Sequence, residues 1–121
     1  MEKRILVIED NRQVAEALDY SLKKEGYEVV ACYDGTAAMN KLKTEHFDLV
    51  LIDLILPYVS GMSIIKWIKT EHPMMPVIVI SSIEEENVIT HTFLMGVADY
   101  ISKPFSPLRL TTSVRNGLLS A

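Results

Sequence analysis

Five short apolar runs, separated by stretches of helical length, are the feature that most constrains how this chain can fold. The runs cover residues 5–8, 28–33, 49–52 and 77–80, and a weaker one covers residues 100–101. Their residues are apolar at successive positions and often β-branched, which is typical of strands covered on both faces of a sheet. The sequence therefore predicts five buried strands.

The stretches between these runs have the periodicity of amphipathic helices. We predict helices over residues 11–25, 36–45, 62–71, 84–95 and 106–119. The first helix is predicted to place four apolar side chains on one face: Val14, Ala17, Leu18 and Leu22. The fourth begins with three glutamates, which are favourable near a helix N-terminus. Ser106 is the predicted N-cap of the last helix.

Strands that alternate with helices indicate an α/β protein, a (βα)5 doubly wound parallel sheet with helices on both faces. The length of 121 residues suits one domain, and we expect residues 1–121 to form it. Ligands of such sheets bind beyond the carboxyl ends of the strands, where the strand order reverses. The residues that follow each strand are therefore the candidates for a functional site.

The composition argues against several classes of protein. The net charge of -4 disfavours non-specific binding of nucleic acid, which needs a basic surface. Cys32 is the only cysteine, so the chain cannot form an internal disulfide. Because no long apolar segment predicts a signal peptide or a membrane span, we expect a cytoplasmic protein without membrane contact.

Charged and hydroxyl side chains follow four of the five predicted strands. In chain order they are Glu9 and Asp10, Asp53, Ser81 and Ser82, and Lys103 with Pro104. Three carboxylates at one rim repel one another unless a cation compensates, and hard oxygen ligands suit Mg²⁺, with Mn²⁺ as a substitute. A hydroxyl and a lysine beside such a cation suit phosphoryl transfer to a carboxylate nucleophile.

Each of these features alone is more often structural than functional. An acidic pair after a strand is commonly a loop or a helix cap, and either Asp10 or Asn11 could cap the first helix. Asp53 could simply begin a turn, since Pro57 and Gly61 follow it. Their joint occurrence at successive strand ends favours the functional interpretation.

With these residues in this order, the chain closely resembles the receiver domain of two-component response regulators. The resemblance covers essentially the whole chain and rests on four segments: ILVIEDN at residues 5–11, DLVLIDLILPYVSG at 48–61, VIVISS at 77–82 and GVADYISKPF at 96–105. The Asp-x-x-x-Pro-x-x-x-Gly spacing that begins at Asp53 and the Asp-Tyr-x-x-Lys-Pro spacing that begins at Asp99 are its most specific parts.

The resemblance implies a flavodoxin-like topology with strand order 2-1-3-4-5 and a role for each motif residue. Asp53 corresponds to the phosphoacceptor, and Glu9 with Asp10 to the acidic pair that holds Mg²⁺ together with the backbone carbonyl of Ile55. The family usually has two aspartates at the acidic pair, so the longer Glu9 could act through water. Lys103 corresponds to the lysine that pairs with the phosphoryl group.

The resemblance also implies how the signal would leave the site. Ser81 and Tyr100 correspond to the switch hydroxyl and the switch aromatic, Ser82 to the small residue that leaves access for the phosphoryl group, and Pro104 fits a cis peptide bond. Phosphorylation would draw Ser81 inward, let Tyr100 rotate into the vacated space, and reshape the face of the fourth helix, fifth strand and fifth helix. Residues 96–99 depart from the commoner Gly-Ala-Asp-Asp, and we expect them on a loop away from the chemistry.

As a member of that family, the chain would be a phosphoacceptor switch that assists only its own phosphorylation and dephosphorylation, not an enzyme. Its phosphodonor would be a sensor histidine kinase or a phosphotransfer protein, and phosphorylation could drive a homodimer through the reshaped face. The chain would act either as a single-domain regulator or as the receiver part of a longer regulator, transcription factors included. It contains no helix-turn-helix pattern, so we expect no direct contact with nucleic acid.

Two further positions bear on the lifetime of a phosphoryl group. Ile55 and Ile83 stand two residues beyond Asp53 and Ser81, where family members line the path of attacking water. Both are bulky and apolar, so no side chain there can orient a water molecule. We predict slow self-dephosphorylation.

Three other functions stay open at this stage. An aspartyl-phosphate phosphatase would need a second acid two residues after the nucleophile, where Ile55 stands. An FMN-binding flavodoxin-like protein would need a phosphate loop after the first strand, where Glu9, Asp10 and Asn11 carry the wrong charge. An interaction module that is never phosphorylated could use the same fold.

Overall fold

The computed structural model describes residues 2–120, in which five strands alternate with five helices. The strands are β1 (Arg4–Ile8), β2 (Glu28–Cys32), β3 (Leu49–Ile52), β4 (Val77–Ser81) and β5 (Asp99–Ser102). The helices are α1 (Arg12–Lys24), α2 (Gly35–Thr44), α3 (Gly61–Glu71), α4 (Glu86–Leu94) and α5 (Pro107–Ser120). Both ends of the domain predicted over residues 1–121 lie outside the described residues.

All strand pairs are parallel and the sheet order is β2-β1-β3-β4-β5, as predicted. The order reverses at β1, which pairs with β2 on one side and with β3 on the other. The loops after β1 and β3 therefore diverge around a crevice at the carboxyl edge of the sheet, which is where such folds bind ligands.

Alternate residues of each strand enter two separate apolar layers. Along β1, Ile5 and Val7 pack with α1 and α5, whereas Leu6 and Ile8 pack with α2 and α3. Because both faces are covered, residues 5–8 of β1, 49–52 of β3 and 77–80 of β4 are apolar in succession, without polar alternation. The layering also places Tyr100 on the α2–α4 side of the sheet.

Most predicted helix boundaries agree with the structure to within two residues, and three details were wrong. On α1 the buried side chains are Ala15, Leu18 and Leu22, whereas Ala17 is exposed. The buried set follows an i, i+3, i+7 spacing that keeps it on one stripe. Helix α4 begins at Glu86, so only one of its three glutamates lies in the first turn.

The third correction concerns Asp99, because residues 96–98 form the predicted loop but Asp99 does not belong to it. Asp99 is the first residue of β5, and its side chain is held by α5.

The structure also shows which residues cap α1 and α5 at the edge of the sheet. Asn11 caps α1 through its side chain, and Ser106 accepts the backbone N–H of Arg109 at the start of α5. Among the described residues, no helix has the length and hydropathy to cross a bilayer.

Candidate functional site

Three carboxylates converge at the crevice where the strand order reverses. Glu9 and Asp10 follow β1, and Asp53 follows β3. Each offers one oxygen, and these oxygens lie within 4.8 Å of one another. Glu9 is fully buried and Asp53 is 6% exposed, whereas Asp10 is open to solvent. The structure thus brings together the acidic residues that the sequence predicted.

Lys103 supplies the positive charge for this cluster. Its ammonium donates to Oδ2 of Asp53 at 2.8 Å and is in ion-pair contact with Oε1 of Glu9. Burial by itself lowers the pKa of Lys103, but the hydrogen bonds to Asp53 and Glu9 outweigh burial and raise that pKa above its ordinary value. Lys103 therefore stays protonated at neutral pH.

Glu9 shows that one ammonium does not fully satisfy the cluster. Its Oε2 accepts the backbone N–H of Asn11 at 3.1 Å. Its Oε1 is in ion-pair contact with the Lys103 ammonium, which Asp53 also uses. Burial raises the pKa of Glu9, and Lys103 and the Asn11 N–H act against burial. One ammonium thus faces three clustered carboxylates, and a further cation would compensate the remaining negative charge.

The donor set fits a hard divalent cation. Mg²⁺ binds oxygen at 2.0–2.1 Å, so two ligands on opposite sides of the ion are about 4.2 Å apart. The oxygens of Glu9, Asp10 and Asp53 lie within 4.8 Å of one another, so movements of these side chains could bring all three to one ion. Asp10 is exposed, which leaves room for the water ligands that Mg²⁺ usually keeps.

The backbone after β3 explains the spacing between Asp53 and Gly61. The Gly61 N–H donates to the carbonyl of Leu54 at 3.0 Å, which brings the start of α3 onto the loop that carries Asp53. A Cβ atom at Gly61 would overlap the Asp53 carbonyl oxygen and the Leu54 Cα. Gly61 thus permits the close approach that fixes the Asp53 backbone.

The predicted switch residues meet at the backbone of Ile83. Ser81 is fully buried, and its hydroxyl accepts the N–H of Ile83 at 3.2 Å. Tyr100 is 7% exposed, and its hydroxyl donates to the carbonyl of Ile83 at 2.8 Å. Burial raises the pKa of Tyr100, and the Ser81 hydroxyl acts in the opposite direction. Tyr100 therefore already occupies the inward position in this structure.

This use of the Ile83 backbone could not be read from the sequence. The sequence indicates a role for Ile83 only through its apolar side chain, because a main-chain contact leaves no signal in residue type. The side chain of Ile83 is half-buried, whereas that of Ile55 is 62% exposed beside the site. The Ile55 N–H lies 3.3 Å from Oδ1 of Asp53, so its main chain is held close to the carboxylate.

The remaining predicted residues lie at the rim. Ser82 is exposed and lines an open cavity of about 840 Å³ between α1 and α5, which Lys103 also borders. The peptide bond between Lys103 and Pro104 is cis, as predicted.

A five-stranded parallel sheet with strand order 2-1-3-4-5, carrying an acidic cluster and a lysine at its switch point, defines a flavodoxin-like fold of the receiver type. The family model for the response regulator receiver domain matches residues 5–115. The chain belongs to the response regulator receiver domain family. Receiver domains are phosphoacceptor switches of two-component systems and are generally not enzymes. They bind Mg²⁺ at an acidic cluster. They interact with histidine kinases or phosphotransfer proteins.

Known relatives agree with this assignment. The chain is 33% identical over 115 residues to the alkaline phosphatase synthesis transcriptional regulatory protein PhoP of Bacillus subtilis, covering 95% of this chain and 48% of that protein. The chain thus spans about half the length of this curated relative.

Solved structures show the same fold. A CheY-like receiver domain protein from Methanospirillum hungatei is 26% identical with a TM-score of 0.92, covering 98% of this chain and 94% of that one. The response regulator DrrB of Thermotoga maritima, an OmpR/PhoB homologue, is 28% identical with a TM-score of 0.90, covering 98% of this chain and 54% of that one.

Proposed function

We propose that this chain accepts a phosphoryl group on Asp53 from a sensor histidine kinase or phosphotransfer protein, and that the resulting change at its α4–β5–α5 face controls a downstream output. The observation that carries the proposal is the convergence of Glu9, Asp10 and Asp53 around the Lys103 ammonium at the switch point of the sheet. Such an arrangement suits a nucleophile whose product carries more negative charge than the carboxylate it replaces.

In the transfer step, an oxygen of the Asp53 carboxylate attacks the phosphorus of a phosphohistidine. The new P–O bond forms as the P–N bond breaks, and the imidazole nitrogen leaves with the electron pair and takes up a proton. Lys103 stands 2.8 Å from one Asp53 oxygen, where its ammonium can pair with the phosphoryl oxygens. Asp53 is the phosphoryl acceptor, and Lys103 is the cation that pairs with the phosphoryl group. Together with Ser81 they form the reacting set.

Glu9, Asp10, Asp53 and the backbone carbonyl of Ile55 would hold Mg²⁺, or Mn²⁺ in its place. When bound, the ion would neutralise charge that develops on the phosphoryl oxygens. The charge imbalance of the cluster supports this assignment, because one ammonium is shared by Glu9 and Asp53 while Asp10 adds a third carboxylate beside them.

The switch would operate through Ser81 and Tyr100. A phosphoryl group adds about 1.5 to 2 negative charges and three acceptor oxygens at Asp53. The Ser81 hydroxyl, which now accepts from Ile83, can turn to donate to one of those oxygens. Because Tyr100 is already inward and its hydroxyl is held by the Ile83 carbonyl, a turn of Ser81 would act on the Ile83 main chain and, through it, on how firmly Tyr100 is held.

The free energy needed to shift the switch between its two conformations exceeds what a single contact supplies. Moving a two-state equilibrium from 1:99 to 99:1 takes about 5.5 kcal/mol of differential stabilisation. One hydrogen bond to a charged group contributes about 1.5–3 kcal/mol. Lys103, Ser81 and the metal ligands together would therefore be needed to shift the population fully.

The downstream output is either that of a single-domain regulator over residues 1–121 or that of a longer response regulator of which this chain is the receiver part. PhoP is a transcriptional regulatory protein about twice as long as this chain, which supports the second form. In either form we place the protein in the cytoplasm, without direct nucleic-acid contact from this domain, and with a homodimer through α4, β5 and α5 on phosphorylation.

Labelling with acetyl phosphate tests the proposal. The wild-type chain with Mg²⁺ should gain one phosphoryl group by intact mass, and hydroxylamine, which cleaves acyl phosphates, should remove it. Asp53→Asn should show no labelling, whereas Asp19→Asn, which alters a carboxylate on α1, should label like the wild type. Retained labelling in Asp53→Asn, or labelling that is unaffected by EDTA, would refute the acceptor or the metal assignment respectively.

A further inference from the structure

The backbone of Tyr100 is enclosed by a ring of side-chain hydrogen bonds on the outer edge of the sheet. Strand β5 lies at the end of the strand order, so one side of it has no neighbouring strand. The Tyr100 N–H donates to Oδ1 of Asp99 at 2.8 Å, and the Tyr100 carbonyl accepts from Nη2 of Arg109 at 3.2 Å. Both peptide groups that flank the Tyr100 side chain are thus satisfied by side chains rather than by a strand.

The ring is closed by the contact between the two side chains themselves. The Arg109 guanidinium forms a fork with the Asp99 carboxylate, with Nη1 at 2.6 Å from Oδ2 and Nη2 at 3.1 Å from Oδ1. This bidentate geometry is the strong and directional form of an ion pair. The Asp99 side chain is 29% exposed and that of Arg109 is 46% exposed, so the pair is partly shielded from water.

A third donor fixes this ring to α5. The buried Ser113 hydroxyl donates to Oδ2 of Asp99 at 2.6 Å, one turn beyond Arg109 on the same helix. Asp99 therefore accepts four hydrogen bonds, two of them from Arg109 and the others from Ser113 and Tyr100. Any displacement of the β5 backbone at Tyr100 must break this set or move α5 with it.

We propose that Asp99 and Arg109 form a clamp that positions Tyr100 in its inward orientation and couples that orientation to α5. The hydroxyl of Tyr100 is held by the Ile83 carbonyl, and its backbone is held by the clamp. Arg109 is thus a positioning residue of the switch, acting through Tyr100 without touching the phosphoryl site. The proposal rests on the proposed function for its consequence in signalling, but not for the clamp itself.

The inward orientation has two supports, and removal of one should shift the rotamer equilibrium. A minor conformer of a bistable element is commonly populated at 0.1–10%, and loss of the clamp should raise an outward Tyr100 conformer by roughly tenfold. Arg109→Lys keeps the charge but not the fork, since an ammonium cannot bridge Asp99 and the Tyr100 carbonyl in the same planar way. It should lie between the wild type and Arg109→Gln.

Fluorine NMR of the unphosphorylated chain labelled with 3-fluorotyrosine tests the clamp. The chain has five tyrosines, and Tyr100→Phe identifies the Tyr100 resonance by its loss. In Arg109→Gln the Tyr100 resonance should broaden or shift towards the position of the exposed Tyr20, while the other four stay in place. Arg115→Gln, which removes an exposed arginine from the same helix, is the matched control and should leave all five unchanged.

Asp99→Asn provides a second variant that removes the ion pair from the other side. An unchanged Tyr100 resonance in both Arg109→Gln and Asp99→Asn would contradict the proposed clamp. It is also overturned if all five resonances move together, since that pattern means a general structural role. Acetyl phosphate labelling of the same variants is a separate readout. If the wild type fails to label, the proposed function falls, while the NMR result on the unphosphorylated chain still decides the clamp.

Discussion

The ammonium of Lys103 lies 2.8 Å from Oδ2 of Asp53 and also contacts the fully buried carboxylate of Glu9. Two carboxylates that have almost no access to water thus share one monovalent cation. Removing one partner of a buried ion pair leaves an uncompensated charge, so loss of the Lys103 ammonium should be strongly destabilising when no divalent cation is present.

Lys103→Ala should therefore destabilise the metal-free protein by roughly 2–4 kcal/mol in chemical denaturation. The range extends to the lower value because the lysine side chain is 18% exposed to solvent. Added Mg²⁺ should recover more stability in the variant than in the wild type, because the ion replaces the lost positive charge. Lys66→Ala, at an exposed site on α3, is the control. Equal Mg²⁺ effects in all three proteins would contradict the metal assignment.

The exposed side chain of Ile55 gives a prediction for the lifetime of the phosphoryl group. Ile55 stands beside Asp53, is 62% exposed and cannot orient a water molecule. Ile55→Asn should accelerate dephosphorylation about tenfold, which corresponds to about 1.4 kcal/mol of barrier. The substitution keeps the backbone carbonyl proposed as a metal ligand and opens no core cavity.

The decay of acetyl-phosphate-labelled protein after desalting measures this rate by intact mass. Ile55→Leu keeps an apolar side chain of equal size and should decay like the wild type. A wild-type protein that loses its label as fast as Ile55→Asn would show that the isoleucine gives no protection.

The sequence predicted the site better than the contacts that surround it. Glu9, Asp53 and Lys103 could be placed together because the carboxyl ends of parallel strands share one edge, so residue type and strand position were sufficient. Ala17 was misplaced because Ala15 and Ala17 are equally apolar, and only the direction of the helix face distinguishes them. The Asp99–Arg109 pair was missed because no local pattern indicates which surface charges meet across ten residues.

Glycines at two packed positions should respond differently to the same added methyl group. A Cβ at Gly61 would overlap backbone atoms of Asp53 and Leu54, which cannot yield without moving the loop. A Cβ at Gly117 would approach only the end of the Leu49 side chain, at 3.0 Å, so a shift of a few tenths of an ångström would relieve the contact. Gly61→Ala should cost about 2–4 kcal/mol in free energy of unfolding and also reduce labelling of Asp53.

Gly117→Ala should change the free energy of unfolding by less than about 1 kcal/mol, since the gain in helix propensity offsets the local repacking. Thermal and denaturant unfolding of both variants provide the comparison. A larger loss at Gly117 than at Gly61 would mean that the close approach of α3 to the Asp53 loop is not the tighter constraint.

Asp99 gives a pH-dependent contribution to stability whose sign follows from its surroundings. Burial acts to raise the pKa of Asp99, but hydrogen bonds from Arg109, Ser113 and the Tyr100 N–H outweigh burial and lower the pKa below its ordinary value. A carboxyl whose pKa is lowered by folding stabilises the protein above its unfolded-state pKa, about 3.9, and loses that contribution as pH falls through the folded pKa.

Asp99→Asn removes this titration while keeping the shape of the side chain. At pH 7 it should be less stable than the wild type by roughly 1.5–3 kcal/mol, the range for a hydrogen bond to a charged group. The difference should shrink as pH falls below about 4, since the wild-type carboxyl then takes up a proton. Urea unfolding from pH 7 to pH 3 measures the stability of both proteins as a function of pH.

Asp34→Asn, which alters the cap of α2, serves as a control for acid effects elsewhere. A gap between wild type and Asp99→Asn that stayed constant over this range would show that Asp99 is not ionised within the clamp.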